Sequence, residues 1–282
     1  MEEFLALLDT ILRTFGVGQS SQAFLVLLGL AFARLLTFLS IVPFFGGAAV
    51  PGRVKVATAA SFVIIVFPTL TAGLPPGGRL PFGPVGFVAL IIKEVFIGFA
   101  LGFVAGLVFE SIQMAGRIID VQRGAALAEL FAPQLQAPVS ELGQFKLQLA
   151  IVLFLTTGAH RVFIAAMLRS FETIPALGVP KVARLAPIVP TIVQLGGEVI
   201  AIAVGLAAPA MIVLLMTDVF FGVINRVAPQ INVFFLSLPV KMAVGLLIVF
   251  LALPLLMDQF IHYFEAAYKV FDYLLHRLAE AY

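Results

Sequence analysis

The chain has 282 residues, of which 62% are hydrophobic and 11% are charged, and its formal net charge is +2. Soluble domains carry roughly 45–50% apolar and about 25% charged residues, so the composition indicates an integral membrane protein or a subunit of a hydrophobic assembly. The chain lacks cysteine, which excludes disulfides and thiol catalysis, and no basic run is long enough to predict a nucleic-acid partner.

The first predicted element is an amphipathic helix, because apolar residues recur at helical spacing from Phe4 to Phe15. Glu2 and Glu3 stand where a secretory signal carries basic residues, so we expect no cleaved signal. Six apolar segments follow that reach the ~20 residues a membrane span needs. They cover roughly residues 22–45, 54–74, 85–109, 142–168, 198–224 and 233–257.

Pro and Gly cluster between these segments and predict turns there. Further helix breaks are expected at Pro43, Pro209, Pro239 and Pro254. In the third segment, three glycines stand four residues apart and so lie on one helix face: Gly98, Gly102 and Gly106. This pattern predicts close packing against another helix rather than a phosphate site.

A second amphipathic helix is predicted after the sixth segment. Its apolar residues recur at helical spacing and are Phe260, Phe264, Tyr268, Phe271, Leu275 and Leu278. Such a helix either lies on lipid or packs against partner subunits.

Several charged residues fall inside the apolar segments, where each costs a few kcal/mol unless it finds a partner. Lys93, Lys146 and Arg161 lie near segment ends and could reach the membrane surface with their long side chains. Arg34 and Asp218 lie deeper, and a pair between them is one possibility. The candidates for buried polar contacts are Arg34, Lys93, Glu94 and Asp218.

Lys93 and Glu94 are adjacent, and neighbours on a helix point about 100° apart, so we expect each to seek a partner elsewhere rather than the other. Charges of this kind fit three functions: a secondary transporter with a site near the middle of the membrane, a membrane enzyme, or a subunit of a larger pore. The enzyme is the weakest of these. His160, His262 and His276 form no metal-binding spacing, and there is neither a nucleophile elbow nor a P-loop, so no cofactor or metal is predicted.

Residues 118–145 lie between two membrane-length segments but are too apolar for an exposed loop and too broken by Gly and Pro for a membrane helix. Together with two other patches, this stretch resembles the FliR/SctT family, the export-gate subunit of type III secretion systems. The patches are FFGGAAVPGRVKVATAASF at 44–62, QRG at 122–124 with LFAP at 130–133, and DVFFGVINRVAPQINVFFLSLPVKMAVGLLI at 218–248. The QRG triplet is more similar to the injectisome branch than to the flagellar branch. Ala132 stands where the family often has an acidic residue, so an acidic contact there would be absent.

The resemblance implies an all-α membrane-associated protein built from long helical hairpins, forming one export-gate unit over residues 1–282. Residues 1–185 would be an N-terminal helical part and 186–282 a C-terminal helical hairpin. The expected assembly is a pseudo-hexameric helical cone in the bacterial inner membrane. Its other subunits would be several copies of two smaller membrane proteins, FliP/SctR-like and FliQ/SctS-like, together with a FlhB/SctU-like switch protein.

In the family, the segment that matches residues 119–139, here called the plug segment, closes the channel from inside. The resemblance assigns the seal to Gln122, Arg123, Gly124, Leu127, Leu130, Phe131 and Pro133. Non-helical backbone at membrane depth is tolerated only inside protein or against a water-filled cavity, and a plug meets that condition. A plain connector is the alternative.

A structural elbow between the two arms of the C-terminal hairpin is assigned to Asn225, Arg226, Pro229, Gln230 and Pro239. The function expected from all of this is a non-catalytic subunit that completes and seals a pore for unfolded secreted proteins. The alternative is a secondary transporter of a small solute that uses the intramembrane charges.

Overall fold

The computed structural model describes residues 21–46, 50–72, 83–125, 140–178 and 188–280. The regular structure in these ranges consists of helices and includes no strand, which confirms the predicted all-α fold. The helices are α1 (Ser21–Ile41), the single turn α2 (Pro43–Gly46), α3 (Gly52–Ala72), α4 (Pro84–Gln122), α5 (Glu141–Thr156), α6 (Ala159–Thr173), α7 (Ile188–Val227) and α8 (Val233–Ala279). The predicted N-terminal amphipathic helix lies outside the described residues.

Five of the described helices are long and apolar enough to cross a membrane, namely α1, α3, α4, α7 and α8. The pair α5 and α6 makes a sixth span if it is counted as one, so the predicted number of segments is confirmed. The segment predicted at 142–168 is nevertheless not a straight helix, because α5 and α6 are bent by 76°. Gly158 lies between them with φ +78, a left-handed conformation that ends many helices.

Three helices are much longer than predicted. α4 has 39 residues, α7 has 40 and α8 has 47, so at 1.5 Å per residue they extend about 60–70 Å, roughly twice the hydrocarbon thickness of a bilayer. The helix breaks expected at Pro209, Pro239 and Pro254 are wrong, since all three lie inside helices. Pro is tolerated in apolar helices when neighbouring groups satisfy the freed carbonyl. Pro43 begins the single turn α2.

The fold comprises two compact units. The first is drawn from Met1–Gly106, Arg161–Thr191 and Tyr268–Tyr282, and the second from Leu107–His160 and Ile192–Ala267. The division of the chain at 185/186 is a separate expectation that rests on the family resemblance, and it stays a prediction.

In the first unit, α1 packs against both α3 and α4. Phe24 of α1 meets Phe67 of α3 edge to face, with ring centroids 5.0 Å apart. On the other side, a Cβ at Gly102 of α4 would lie 3.2 Å from the Phe38 carbonyl oxygen of α1, and a Cβ at Gly98 would overlap the Arg34 carbonyl oxygen. The predicted packing role is confirmed for Gly98 and Gly102 but not for Gly106, where a Cβ would meet only the Pro43 Cδ at 3.9 Å.

The predicted C-terminal amphipathic stripe packs against this same chain rather than against lipid or a partner. Five residues of this stripe, all in α8, are buried in the folded chain: Phe260, Phe264, Phe271, Leu275 and Leu278. In the second unit, Phe264 lies with Phe109 and Phe154 in one aromatic cluster. In the first unit, Phe271 meets Phe38 and Phe163. Sequence periodicity predicted the apolar face correctly but not what covers it.

Because Gly98 lies directly on the α1 backbone, we expect Gly98→Ala to lower the stability of the detergent-solubilised protein. Overpacking of this kind costs about 1–3 kcal/mol, which outweighs the ~0.5–1 kcal/mol that Ala gains over Gly in a helix. Gly29→Ala in α1 is the matched control, since no heavy atom of the described residues, apart from the local backbone of α1, lies within 4 Å of its Cβ position, and it should be neutral or stabilising. Thermal unfolding measures both; a Gly98→Ala variant as stable as Gly29→Ala would contradict the packing described.

Candidate functional site

The candidate site lies where α4 ends and α5 begins. Residues 119–122, predicted to be the non-helical start of the plug segment, are instead the last turn of α4. Gln122, Arg123 and Gly124 are described, whereas Leu127, Leu130, Phe131 and Pro133 lie outside the described residues. What the structure adds is therefore the geometry at the base of the segment rather than the seal itself.

The end of α4 is set by Gly124, whose φ of +85 is a conformation that favours glycine. The amide of Gly124 donates to the Val121 carbonyl at 3.1 Å, and the amide of Ala125 donates to the Asp120 carbonyl at 3.0 Å. These bonds close the helix in the manner of a glycine C-cap. The chain thus leaves α4 at a fixed point and in a fixed direction.

The start of α5 is equally well defined. Ser140 has extended backbone angles, and its Oγ accepts a hydrogen bond from the Gly143 amide at 2.9 Å, as an N-cap residue does. α4 and α5 meet closely here, because a Cβ at Gly116 would lie only 2.5 Å from the Gly143 Cα. The serine followed by an acidic residue before an apolar run is a helix-start signal that the sequence already contained.

The carboxylate of Asp120 joins these two helix ends. One oxygen accepts from the Ser140 hydroxyl at 2.6 Å and from the Leu142 amide at 3.0 Å, and the other accepts from Arg123 Nε at 2.7 Å. Asp120 is 1% exposed and Arg123 4%, so the pair is buried. We call Asp120, Arg123 and Ser140 the root cluster. It joins the end of α4 to the start of α5, the two helices on either side of residues 126–139.

The QRG triplet also contacts the helices that follow the plug segment. Gln122 donates to Asp218 of α7 at 3.4 Å, and the same carboxylate forms an ion pair with Lys241 of α8 at 2.7 Å. The Arg123 side chain packs against α8, since a Cβ at Gly245 would lie 3.4 Å from its Cβ and Cδ. Within the second unit, the root cluster is therefore connected to both α7 and α8.

The residues assigned to an elbow lie near the turn between α7 and α8. Asn225 and Arg226 are in the last turn of α7, Pro229 and Gln230 are in the connecting turn, and Pro239 lies inside α8. The Ala228 amide donates to the Ile224 carbonyl at 2.8 Å and so ends α7. An open pocket of about 570 Å³ lies beside the turn and is lined by residues that include Asp218, Asn225, Pro229 and Gln230.

A second polar cluster, in the first unit, contains the remaining buried candidates. Arg34 binds Glu94 through two hydrogen bonds of 2.5 and 3.0 Å, and both side chains are fully buried. Lys93 also binds Glu94, at 2.7 Å. The possible pair of Arg34 with Asp218 is thus wrong, because Asp218 pairs with Lys241, and Asp218 is not buried, since its side chain is 42% exposed. The expectation that Lys93 and Glu94 do not pair is wrong as well, since their long side chains converge on Arg34.

Both cations of this cluster also bind the backbone that ends α6. Arg34 donates to the carbonyls of Ser170 and Ile174, and Lys93 donates to those of Pro175, Ala176 and Gly178. The Ser170 carbonyl lies in the last turn of α6 and the other four carbonyls follow the helix. The partial negative charge at a helix C-terminus favours two cations there. The cluster fixes α1, α4 and the end of α6 to one another.

Three basic residues were expected to reach the membrane surface. Arg161 is exposed, but Lys93 and Lys146 are buried, so the expectation is wrong for these two. Lys93 turns inward because carbonyls are available there.

The sequence analysis did not predict Asp120, Ser140 or Ser170 as site residues. The spacing of Asp120 and Arg123 by three residues could have predicted their ion pair, whereas no sequence pattern indicated Ser170.

A chain of membrane-length helices whose buried charges meet at helix junctions is a polytopic membrane protein. Residues 25–267 match the model of the family described as "Bacterial export proteins, family 1", and the chain belongs to that family. This confirms the resemblance to FliR/SctT proteins.

Curated relatives cover nearly the whole chain. The flagellar biosynthetic protein FliR of Pectobacterium carotovorum subsp. carotovorum is 32% identical over 86% of this chain and 89% of its own length. FliR of Aquifex aeolicus is 29% identical over 91% and 96%. The surface presentation of antigens protein SpaR of Shigella flexneri is 29% identical over 92% and 97%.

Glu94 is the only carboxylate described in the Arg34–Lys93 cluster, so we expect Glu94→Gln to be strongly destabilising. The substitution removes the carboxylate that both buried cations bind, and breaking a buried ion pair in this way costs about 3–5 kcal/mol. Glu110→Gln is the matched control, because Glu110 lies in the same helix and is exposed. The amount of folded protein in membranes and its thermal unfolding temperature report the difference; equal behaviour of the two variants would contradict a stabilising role for Glu94.

Proposed function

We propose that this protein is a subunit of a type III protein export gate, that it completes the pore through which unfolded substrates enter, and that the plug segment seals that pore. The role requires no catalytic step by this chain. Membership of the bacterial export family supports the export role. The observation that carries the finer proposal is the root cluster, in which Asp120 joins the helix ends on both sides of residues 126–139.

A seal that opens and closes needs a segment whose ends stay in place while its middle changes position. The root cluster satisfies the first requirement, because a buried carboxylate bound by Arg123, Ser140 and the Leu142 amide is a strong anchor. The sequence of the segment suits the second, since apolar residues exclude water while Gly124, Pro133 and Pro138 prevent a long stiff helix. A plain connector between two helices would not need buried hydrogen bonds to a carboxylate at both helix ends.

Exposed charges on the long helices support partner subunits around this chain. Glu110 of α4, Glu198 of α7 and Asp258 of α8 are exposed although they lie in helices apolar enough to span a membrane. Contact with lipid is costly for any carboxylate that lies at membrane depth, whereas protein or water accommodates it. We propose FliP/SctR-like and FliQ/SctS-like neighbours, a FlhB/SctU-like switch protein, and a place in the bacterial inner membrane.

The assignment to the injectisome branch stays a prediction, because the flagellar FliR proteins and SpaR are similar to this chain to nearly the same degree.

The alternative of a small-solute transporter lacks a supporting observation. Of its intramembrane charges, Arg34 and Glu94 are fully buried and bind each other, and Asp218, which lines the pocket beside the turn between α7 and α8, is paired with Lys241. The purified chain should therefore catalyse no solute uptake in vesicles.

Deletion of residues 124–133 tests the plug directly. In cells with the complete export apparatus, we expect the deletion to make the membrane permeable to ions and small dyes, because the seal is lost while the pore remains. The same deletion in cells without the partner subunits is the control and should not leak, since no pore forms there. A complete apparatus that stays tight would show that the plug assignment is wrong.

Asp120→Asn tests the anchor of the plug. The substitution removes the buried counter-ion of Arg123, which costs about 3–5 kcal/mol, so we expect a leak like that of the deletion even though the plug residues are all present. Glu141→Gln is the matched control. Glu141 lies 3.7 Å from the same arginine but is 79% exposed, so its contribution should be small. Dye uptake by cells that assemble each variant decides between an anchor and a dispensable contact.

A further inference from the structure

The open pocket beside the turn between α7 and α8 lies within the second unit and has a volume of about 570 Å³. Ligand pockets in proteins commonly measure roughly 300–1,000 Å³ and combine apolar walls with a few polar groups. Three side-chain amides, one carboxylate and two phenyl rings line this one: Asn225, Gln230, Asn232, Asp218, Phe221 and Phe234. Its size and its mixed lining therefore suit a ligand.

The amides of Asn225 and Gln230 are not used by the turn on which they stand. Backbone hydrogen bonds close the turn, including those from the Ala228 amide to the Ile224 carbonyl at 2.8 Å and from the Ile231 amide to the Ala228 carbonyl at 3.1 Å. In the part of the chain that the structure describes, the side chains of Asn225 and Gln230 form no hydrogen bond, and both residues are exposed. The predicted elbow role therefore does not explain why both positions carry amides.

The charge of the pocket narrows the kind of ligand. Asp218 is already paired with Lys241 at 2.7 Å, and among the described residues that line the pocket no other is charged. A nearly neutral pocket selects neither a phosphate nor a metal ion. A side-chain amide both donates and accepts hydrogen bonds, as the peptide group does, so the chemistry that these walls complement is an uncharged peptide backbone.

We propose that this pocket binds the backbone of an extended polypeptide that is being exported. Asn225 and Gln230 pair with its peptide groups, and Phe234, which is 53% exposed, contacts its side chains. The inference rests on the proposed function, because an export gate handles unfolded chains. Such chains differ in sequence but share one backbone, so amide side chains hold them without regard to sequence.

A polar, open pocket fits a passing chain better than a neighbouring subunit. The buried centre of a permanent subunit interface is mainly apolar, whereas three amides and a carboxylate line this pocket. Transport also requires that each binding step be weak enough for release. A few hydrogen bonds to solvated amides satisfy that requirement, since each contributes only about 0.5–1.5 kcal/mol net.

Photocrosslinking in cells with the assembled apparatus tests the occupant. A photoreactive phenylalanine analogue replaces Gln230, and export is stalled by a substrate fused to a stably folded domain. We expect crosslinks to the stalled chain for two substrates of unrelated sequence. Gln194, exposed near the start of α7, is the matched control position and should give none. Crosslinks from position 230 to gate subunits alone, or no more crosslinking than from position 194, would overturn the inference.

Peptide binding to the purified gate complex tests the chemistry. The probes are a fluorescent uncharged peptide and its backbone N-methylated form, which keeps the side chains but cannot donate from the backbone. We expect N-methylation to weaken binding about tenfold, and Asn225→Ala with Gln230→Ala to weaken binding of the unmodified peptide by a similar factor. The double variant should bind the N-methylated peptide as the parent does, and Gln194→Ala should change neither affinity.

Equal affinities for the two peptides would contradict backbone recognition. A double variant that fails to assemble would also overturn the inference, because the two amides would then hold the turn itself. The proposed function is checked separately by removing the whole chain, which should abolish secretion. Lost secretion without peptide binding would remove only the pocket assignment, whereas normal secretion would remove the export role.

Discussion

A buried charge inside an apolar chain has to find an opposite charge or a backbone dipole, and this constraint determines how the helices of this protein meet. Only 11% of the residues are charged, so each buried one has few possible partners. Glu94 holds α1 to α4 through Arg34, and Asp120 holds the end of α4 to the start of α5. Apolar contacts bury more surface, but they are non-directional, and Phe or Leu side chains pack in many registers. The ion pairs select one register among these.

Much of the helical architecture could be predicted because it depends on local composition. Apolar segments of membrane length predicted the spans, and glycines four residues apart predicted the close helix contact that Gly98 and Gly102 make between α1 and α4. Helix length was not predictable in the same way. Pro209, Pro239 and Pro254 would break a helix in water but lie within α7 and α8, so their usual meaning does not hold in an apolar environment. Gly158 was a usable signal for the bend after α5.

The candidate site was only partly predictable, since a single sequence shows which residues are charged but not which of them meet. The family resemblance directed attention to Gln122, Arg123 and Gly124, and each has a defined contact in the structure. Asp120 and Ser140 complete the root cluster, and they are 20 residues apart in sequence. Lys93 and Glu94 show the limit of local geometry: their backbone positions diverge, but a shared third residue, Arg34, draws the two side chains together.

The two polar clusters contain the same kinds of buried charge but differ in the hydrogen-bond acceptors of their cations. Each contains two buried cations and one buried carboxylate: Arg34 and Lys93 with Glu94, and Arg123 and Lys146 with Asp120. In the first unit, five carbonyls in the last turn of α6 and the segment after it accept from the cations, which stabilises the positive charge. In the second unit, Lys146 has no such acceptor among the described residues. The two junctions are therefore built differently: backbone carbonyls complete the first, whereas the second depends on the hydrogen bonds that the Asp120 carboxylate accepts.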